Sequence, residues 1–205
     1  MVLGGGVRVK EGCGLEDLLC FDLIIALKNF GFATEKFKKV RAISIPFKMP
    51  DGEICRVYRI VLDGKTRYWV PPQGKITELL FIPERTAFEH VIVTPSGFDA
   101  GILNVLFANT IAIGGIGETY TLLALRAHKE RLDPLFKEKS IYVWVEDEES
   151  DFAEKVAKLF NREVKAFGQN LARAYKDAYR IVSQRDLVTA RRFILELMEK
   201  AKTVR

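Results

Sequence analysis

His90-Val91-Ile92-Val93-Thr94-Pro95-Ser96-Gly97-Phe98-Asp99-Ala100 is the stretch on which the fold turns. Its first half is a short, β-branched apolar run without polar alternation, the pattern of a strand covered on both faces. Pro95 and Gly97 then break the run, Ser96 and Asp99 follow the strand as a hydroxyl and an acid, and helical periodicity begins at Asp99. Strand, tight turn and helix form the first half of a βαβ unit. The same grammar repeats along the chain: residues 79–82, 110–113, 140–145 and 163–167 are strand-like, while 99–108, 119–131, 151–160 and 171–181 have helical periodicity. The alternation predicts an α/β fold with a compact parallel sheet flanked by helices.

Upstream the pattern differs. Apolar positions at Leu15, Leu18, Leu19, Leu23, Leu27 and Phe30 predict a helix over 15–30 that stops at Gly31. Residues 40–47, 54–62 and 66–70 are strand-like, separated by Pro50-Asp51-Gly52 and by Asp63-Gly64, a two-residue hairpin signal. They predict an antiparallel meander whose polar face carries Arg41, Arg56, Arg59, Lys65 and Arg67, with Lys38 and Lys39 just before it. Such a face is either simply solvated or a phosphate-contacting patch. At the far end, Leu187, Ala190, Ile194, Leu197, Met198 and Ala201 mark an amphipathic helix over about 186–202 that covers the core. The expected organisation is a flexible leader (1–14), a helix plus antiparallel β subdomain (15–85), an α/β domain (86–182) and a C-terminal helix (183–205).

Composition narrows the function classes. The chain has 205 residues, 48% hydrophobic and 29% charged, enough to bury a core without disulfide staples. Cys13, Cys20 and Cys55 form no CxxC pair, and with only His90 and His128 they match no zinc spacing. The longest apolar stretch, 18–27, is interrupted by Asp22 and falls short of the roughly 20 residues of a membrane span. The start of the chain lacks a secretory pattern, so the expected location is the cytoplasm, with no membrane partner. The net charge of +5 suits a polyanionic partner.

Ligands of parallel α/β sheets bind at the carboxyl ends of the strands. There the chain places Ser96 and Asp99, then Gly114-Gly115-Ile116-Gly117-Glu118, then Glu146-Asp147-Glu148-Glu149-Ser150-Asp151. Carboxylates on neighbouring strand ends suit magnesium or manganese and phosphoryl chemistry. The alternative is helix-start chemistry, with Ser150 capping and Asp151 and Glu154 facing the positive helix end. The glycine turn matches neither GxxxxGK[ST] nor a full GxGxxG, and Ser96-Gly97 is not a GxSxG elbow.

In order and content these pieces resemble the TOPRIM domain of bacterial-type DNA primases, topoisomerases and primase-helicases of phages and plasmids. The elements are Ser96-Gly97-Phe98-Asp99-Ala100, then Val145-Glu146-Asp147-Glu148, then Lys176-Asp177-Ala178. Ile45-Pro46-Phe47, Arg56 to Arg59, Tyr68 and Pro71-Pro72-Gln73-Gly74 resemble the segment that precedes TOPRIM in primase-helicases. The resemblance implies a replication protein that binds single-stranded DNA or RNA, possesses a nucleotidyltransferase centre and works beside a replicative helicase or other replication proteins. It implies catalytic roles at Ser96, Asp99, Glu146 and Glu148, magnesium or manganese on Asp99, Glu146 and Glu148, and nucleic-acid contacts from Lys38, Lys39, Arg41, Arg56, Arg59, Lys65, Arg67 and Lys176. One departure bears on catalysis: the family's key glutamate falls on Ser96, which is no carboxylate base. The acidic pair is Glu146 with Glu148 or, one residue on, Asp147 with Glu149. Two readings follow, a primer-synthesising enzyme and a catalytically degenerate binding or assembly module, with a metal-dependent nuclease as a further alternative.

Overall fold

The computed structural model describes residues 21–37, 40–62, 65–146, 150–168 and 178–205. Helix α1 (Phe21–Lys28) ends in a Schellman motif, in which Phe32 N–H reaches Leu27 O and Gly31 N–H reaches Lys28 O. Gly31 sits at φ +80°, the left-handed conformation that glycine adopts without a Cβ penalty. Four antiparallel strands follow in sequence order: β1 (Ala33–Phe37), β2 (Val40–Lys48), β3 (Ile54–Leu62) and β4 (Lys65–Trp69). Strand β1 is not foreshadowed in the pattern, because its alternation runs through Thr34, Glu35 and Lys36 and resembles a charged connector.

The register corrects the expectation of one basic face. Cross-strand partners share a face, and Ile43 pairs with Arg59, Ile45 with Val57 and Phe47 with Cys55, all on the core side. Arg59 is therefore turned inward, 7% exposed, with its guanidinium 4.3 Å from the centre of the Phe98 ring. Arg56, opposite Pro46, and Arg67, opposite Ile60, lie on the outer face. A one-residue step in a strand reverses the side-chain direction, and that parity separates the arginines.

The second sheet has the order β6-β5-β7-β8-β9. Strands β5 (His90–Thr94), β6 (Thr110–Gly114), β7 (Ser140–Trp144) and β8 (Val164–Phe167) are parallel, and β9 (Lys202–Val204) closes one edge antiparallel to β8. Alternate residues feed two apolar cores. Ile92, Ala112, Trp144 and Phe167 face α2 (Gly97–Leu106), α6 (Ala178–Gln184), α7 (Leu187–Glu199), α1 and the meander. Val91, Val93, Ile111, Ile113 and Val143 face α3 (Glu118–Ala127), α4 (Lys129–Phe136) and α5 (Phe152–Phe160). The expected fold class is thus present: a helix-flanked, mostly parallel sheet preceded by an antiparallel meander.

Three details depart from the sequence reading. Residues 79–82 are not a strand of the parallel sheet; they bridge Lys48 through Leu80 and Gly114 through Phe81, tying the two sheets together. The helix expected over 119–131 is two, α3 and α4, meeting at His128. The last helix stops at Glu199, and Lys202–Val204 turn back as β9.

Strand β6 is a sheet edge, and five of its outward backbone groups have partners. The Thr110 carbonyl accepts from Arg85, the Ala112 N–H and C=O bind the Asn104 side chain at 3.1 and 2.7 Å, and Gly114 pairs with Phe81. An edge blunted in this way offers no template for another strand.

His128 packs inside this framework, 2% exposed, with Nε2 2.9 Å from the Glu78 carbonyl oxygen. Since a carbonyl only accepts, Nε2 carries the hydrogen. Burial holds the imidazole below its ordinary 6.5. The unfolded chain then takes up a proton before the folded one does, so this stabilisation is full above about 6.5 and is lost as pH falls from there toward the lower folded value. Melting followed from about pH 7.5 down to about pH 5.5 should show a falling Tm, and His128→Gln should flatten that limb; an equally steep limb in the variant would assign it elsewhere.

Candidate functional site

The rim at the carboxyl ends of β5, β6 and β7 is built from three loops. After β5, Ser96 caps α2: its Oγ accepts from Asp99 N–H at 3.2 Å. After β6, the glycine turn runs beside it, with Gly97 N–H to Gly115 O and Gly117 N–H to Pro95 O, both 2.8 Å, and Thr121 Oγ1 donating to Pro95 O at 3.1 Å. The turn is thus a mould for the Ser96 loop. After β7, Ser150 Oγ lies 2.8 Å from both carboxylate oxygens of Glu118 and accepts from Phe152 N–H at 3.1 Å, joining the second loop to the third. Asp151 pairs with Lys155 at 2.7 Å, so the end of the acidic run serves the start of α5.

Beneath the first loop the meander contributes a buried polar cluster. The Tyr68 hydroxyl hydrogen-bonds to Ser96 and to Arg59, and Asp99, 6% exposed, is close enough to act on it electrostatically. Burial pushes the Tyr68 hydroxyl pKa up, Arg59 opposes that, and Asp99 adds to it. Ser96, Asp99, Arg59 and Tyr68 therefore form one junction between the meander and α2. The sequence places Arg59 and Tyr68 upstream without showing that Tyr68 meets both Ser96 and Arg59; the signal available is the odd parity that Arg59 shares with the buried Cys55 and Val57.

Glu146 follows β7 at the rim, half-buried. Glu148, with Asp147 and Glu149, lies outside the described residues, as do Lys38, Lys39 and Lys176, and the Lys65 side chain is likewise not described. Among the described residues no three His, Cys, Asp or Glu side chains come together as a metal group. Asp99 is drawn into the Tyr68 cluster, Glu146 stands at the rim, and Glu148, expected to complete a magnesium or manganese group with them, lies outside the described residues. Arg41, Arg56 and Arg67 are exposed. Arg56 Nη1 donates to Gly31 O at 3.2 Å and to Ser44 Oγ at 3.1 Å, which fixes its guanidinium over the outer face of the meander.

The outer face also carries residues that the sequence reading passed over. Phe37, Tyr58 and Trp69, brought together from β1, β3 and β4, form a cluster with ring centroids 4.7–5.7 Å apart. No helix among the described residues is long and apolar enough to cross a membrane.

The fold as a whole is similar to solved primase structures. A chain of the bacteriophage T7 lagging-strand DNA polymerase assembly, in which the polymerase interacts with primase domains of two gp4 subunits bound to an RNA/DNA hybrid and dTTP, is similar at TM-score 0.58 and 15% identity, with 86% of each chain covered. The primase fragment of the bacteriophage T7 primase-helicase is similar at TM-score 0.55 and 14% identity, over 84% of this chain and 69% of that one. The RNA polymerase domain of Mycobacterium tuberculosis primase DnaG, in complex with a double-stranded DNA oligomer bearing an overhang, is matched at TM-score 0.45 and 15% identity over 94% and 62%. No protein-family model and no curated protein matches the sequence. The fold is primase-like.

Proposed function

We propose that this chain is a single-stranded nucleic-acid-binding module of DNA replication, built on the primase fold, in which the site of nucleotide joining has been given over to structure. The carrying observation is Ser96. At the position that resembles the TOPRIM glutamate stands a hydroxyl whose oxygen already accepts the Asp99 N–H and whose proton is directed to the Tyr68 oxygen. A serine so placed holds α2 against the meander; it does not take a proton from an attacking 3′-hydroxyl as a carboxylate would.

Binding is supported by the net charge of +5 and by the exposed guanidinium groups of Arg41, Arg56 and Arg67, which suit backbone phosphates. Its partners on this reading are single-stranded DNA or RNA and other replication proteins, a replicative helicase among them. A second reading, primer synthesis with magnesium or manganese, draws on Glu146, which the fold puts at the end of β7 beside β5.

The two readings separate in paired assays. Labelled single-stranded oligonucleotides should bind with an affinity that falls as salt rises, log K against log[salt] having a slope of about −2 if about three phosphates are neutralised. Ribonucleotides with magnesium or manganese should yield no primer, and Glu146→Ala should bind as the unaltered chain does. Primer that vanishes in the Glu146→Ala/Glu148→Ala double variant would overturn the binding-module reading in favour of an active polymerising centre.

A further inference from the structure

We propose that the outer face of the meander is a base-stacking platform, on which Phe37, Tyr58 and Trp69 take the bases of a single strand while Arg56 and Arg67 hold its phosphates. The inference rests on the single-strand-binding reading above and adds the place and the mode of contact.

A cross-strand aromatic cluster is ordinarily explained as sheet stabilisation, with each pair worth a fraction of a kcal/mol. Here the cluster stands apart from the cores. Phe37, Tyr58 and Trp69 belong to neither apolar core, whereas Tyr68, one residue before Trp69 and of opposite parity, packs against the core on the inner side. All three rings are half-buried rather than buried, and Ile54, on the same face of β3, is 62% exposed. Beneath them the sheet carries small side chains: Ala42 pairs with Glu35 and Ile60, and Ser44 pairs with Tyr58. The rings thus rest on a flat floor and form the raised part of the face.

Their geometry is pre-set. Phe37 and Tyr58 are stacked at 4.9 Å and 22°, Trp69 lies 4.7 Å from Phe37, and the Tyr58 hydroxyl is tied to Glu35. A nucleobase added to such a stack loses little more than its own freedom, and stacking accepts any base because each has a π-face. Charge selects the occupant. Two exposed arginines flank the rings, Arg56 two residues before Tyr58 on the same face of β3 and Arg67 two residues before Trp69 on the same face of β4. The Glu35 carboxylate, on the same face, is engaged by the Tyr58 hydroxyl. Aromatic faces between guanidinium groups suit a single-stranded segment with alternating bases and phosphates, not a duplex whose bases are already stacked.

The experiment compares oligo(dT) with an abasic deoxyribose-phosphate strand of the same length by fluorescence anisotropy of the full-length chain. The unaltered protein should bind oligo(dT) about tenfold or more tightly than the abasic strand, and Trp69→Leu should bring that ratio to near one. Phe37→Leu should reduce it in the same direction, which keeps the test open if the Trp69 variant does not fold. Oligo(dT), unlike the abasic strand, should also quench protein fluorescence, since Trp144, the other tryptophan, is buried in the core. Arg56→Gln with Arg67→Gln should shrink the salt slope by about 1.4, the share of two phosphates.

Equal affinity for the two strands in the unaltered protein, or a preference that survives in both ring variants, would overturn the platform while leaving single-strand binding intact. Concentration-dependent dimerisation abolished by Trp69→Leu, together with equal strand affinities, would assign the face to a second copy of this chain. Failure to bind either strand would overturn both the platform and the reading on which it rests.

Discussion

Asn104→Leu is expected to lower the unfolding free energy by about 4 kcal/mol, the sum of two buried backbone groups left without partners at roughly 1–3 kcal/mol each. Asn104 is 1% exposed near the end of α2. Its amide nitrogen donates to Ala100 O and Ala112 O, both at 2.7 Å, and its carbonyl accepts Ala112 N–H at 3.1 Å. To the edge of β6 it is a one-residue stand-in for a further strand. Leucine fills nearly the same volume, so the change isolates the hydrogen bonds from cavity formation. The Ala100 carbonyl keeps its helical partner; the Ala112 N–H and C=O lose theirs. In a chain of this size the loss corresponds to a Tm lower by about 8–16 °C. Urea unfolding with an unchanged m-value and a loss below about 1 kcal/mol would show that water reaches this edge in the folded state.

Gly114→Ala is expected to cost about 3 kcal/mol and to displace the candidate site itself. A Cβ at Gly114 would lie 2.5 Å from Ser96 O, 2.7 Å from Ser96 C and 2.9 Å from Thr94 O. These are backbone atoms, which cannot turn aside as a side-chain tip can. The strain is relieved only by moving the Ser96 loop, and with it the cap of α2 and the Tyr68 contact. The expected Tm change is a fall of about 6–12 °C. Amide exchange gives the local check: Gly97 and Gly117, whose N–H groups bind Gly115 O and Pro95 O, should exchange faster in the variant. Unchanged protection at both would mean that the adjustment occurs elsewhere.

Both predictions concern the same small region, and its parts differ in how legible they are. Ser96 as a helix cap is a local matter, a hydroxyl before a helix meeting the third N–H of that helix, yet beside Asp99 it presents itself in the sequence equally as a hydroxyl and acid at a strand end. The glycine turn was legible for a similar reason, although its closeness to Ser96 was not. Gly114 needs to be glycine because another strand's loop passes over it, and nothing within four residues of it says so. Asn104 gives no sequence signal at all, since a lone polar residue on an apolar helix face is equally a surface position until a sheet edge is known to lie there.

The basic residues show the limit most clearly. The strand pattern predicts Arg56, Arg59 and Arg67 on one face of a meander. Arg56 and Arg59 are an odd number of residues apart on a single strand, and pleating alone puts them on opposite sides. Parity was available in the sequence; which parity is inward was not, because it depends on what packs beneath. Cys55, Val57 and Arg59 face in because α2 brings Phe98 and the Ser96 loop under them. Strand β1 escaped notice because an edge strand with one solvated face need bury little, so its charged alternation carries no core signal.

Local sequence pattern is enough for the class of the fold, for strands β2 to β8 and for the helices between the parallel strands, but not for β1 or β9. Apolar runs of strand length, helical periodicities between them and glycine or proline at the breaks are short-range consequences of backbone sterics and burial, and they survive in any tertiary setting. The roles of the polar groups are set by long-range packing. It turned Arg59 and Asp99 inward, set Ser96 against Tyr68, and drew Phe37, Tyr58 and Trp69 from three strands onto one outer face. The physical reason is range: a buried charge or a shared ring stack is fixed by partners distant in the chain, and register, not composition, chooses them.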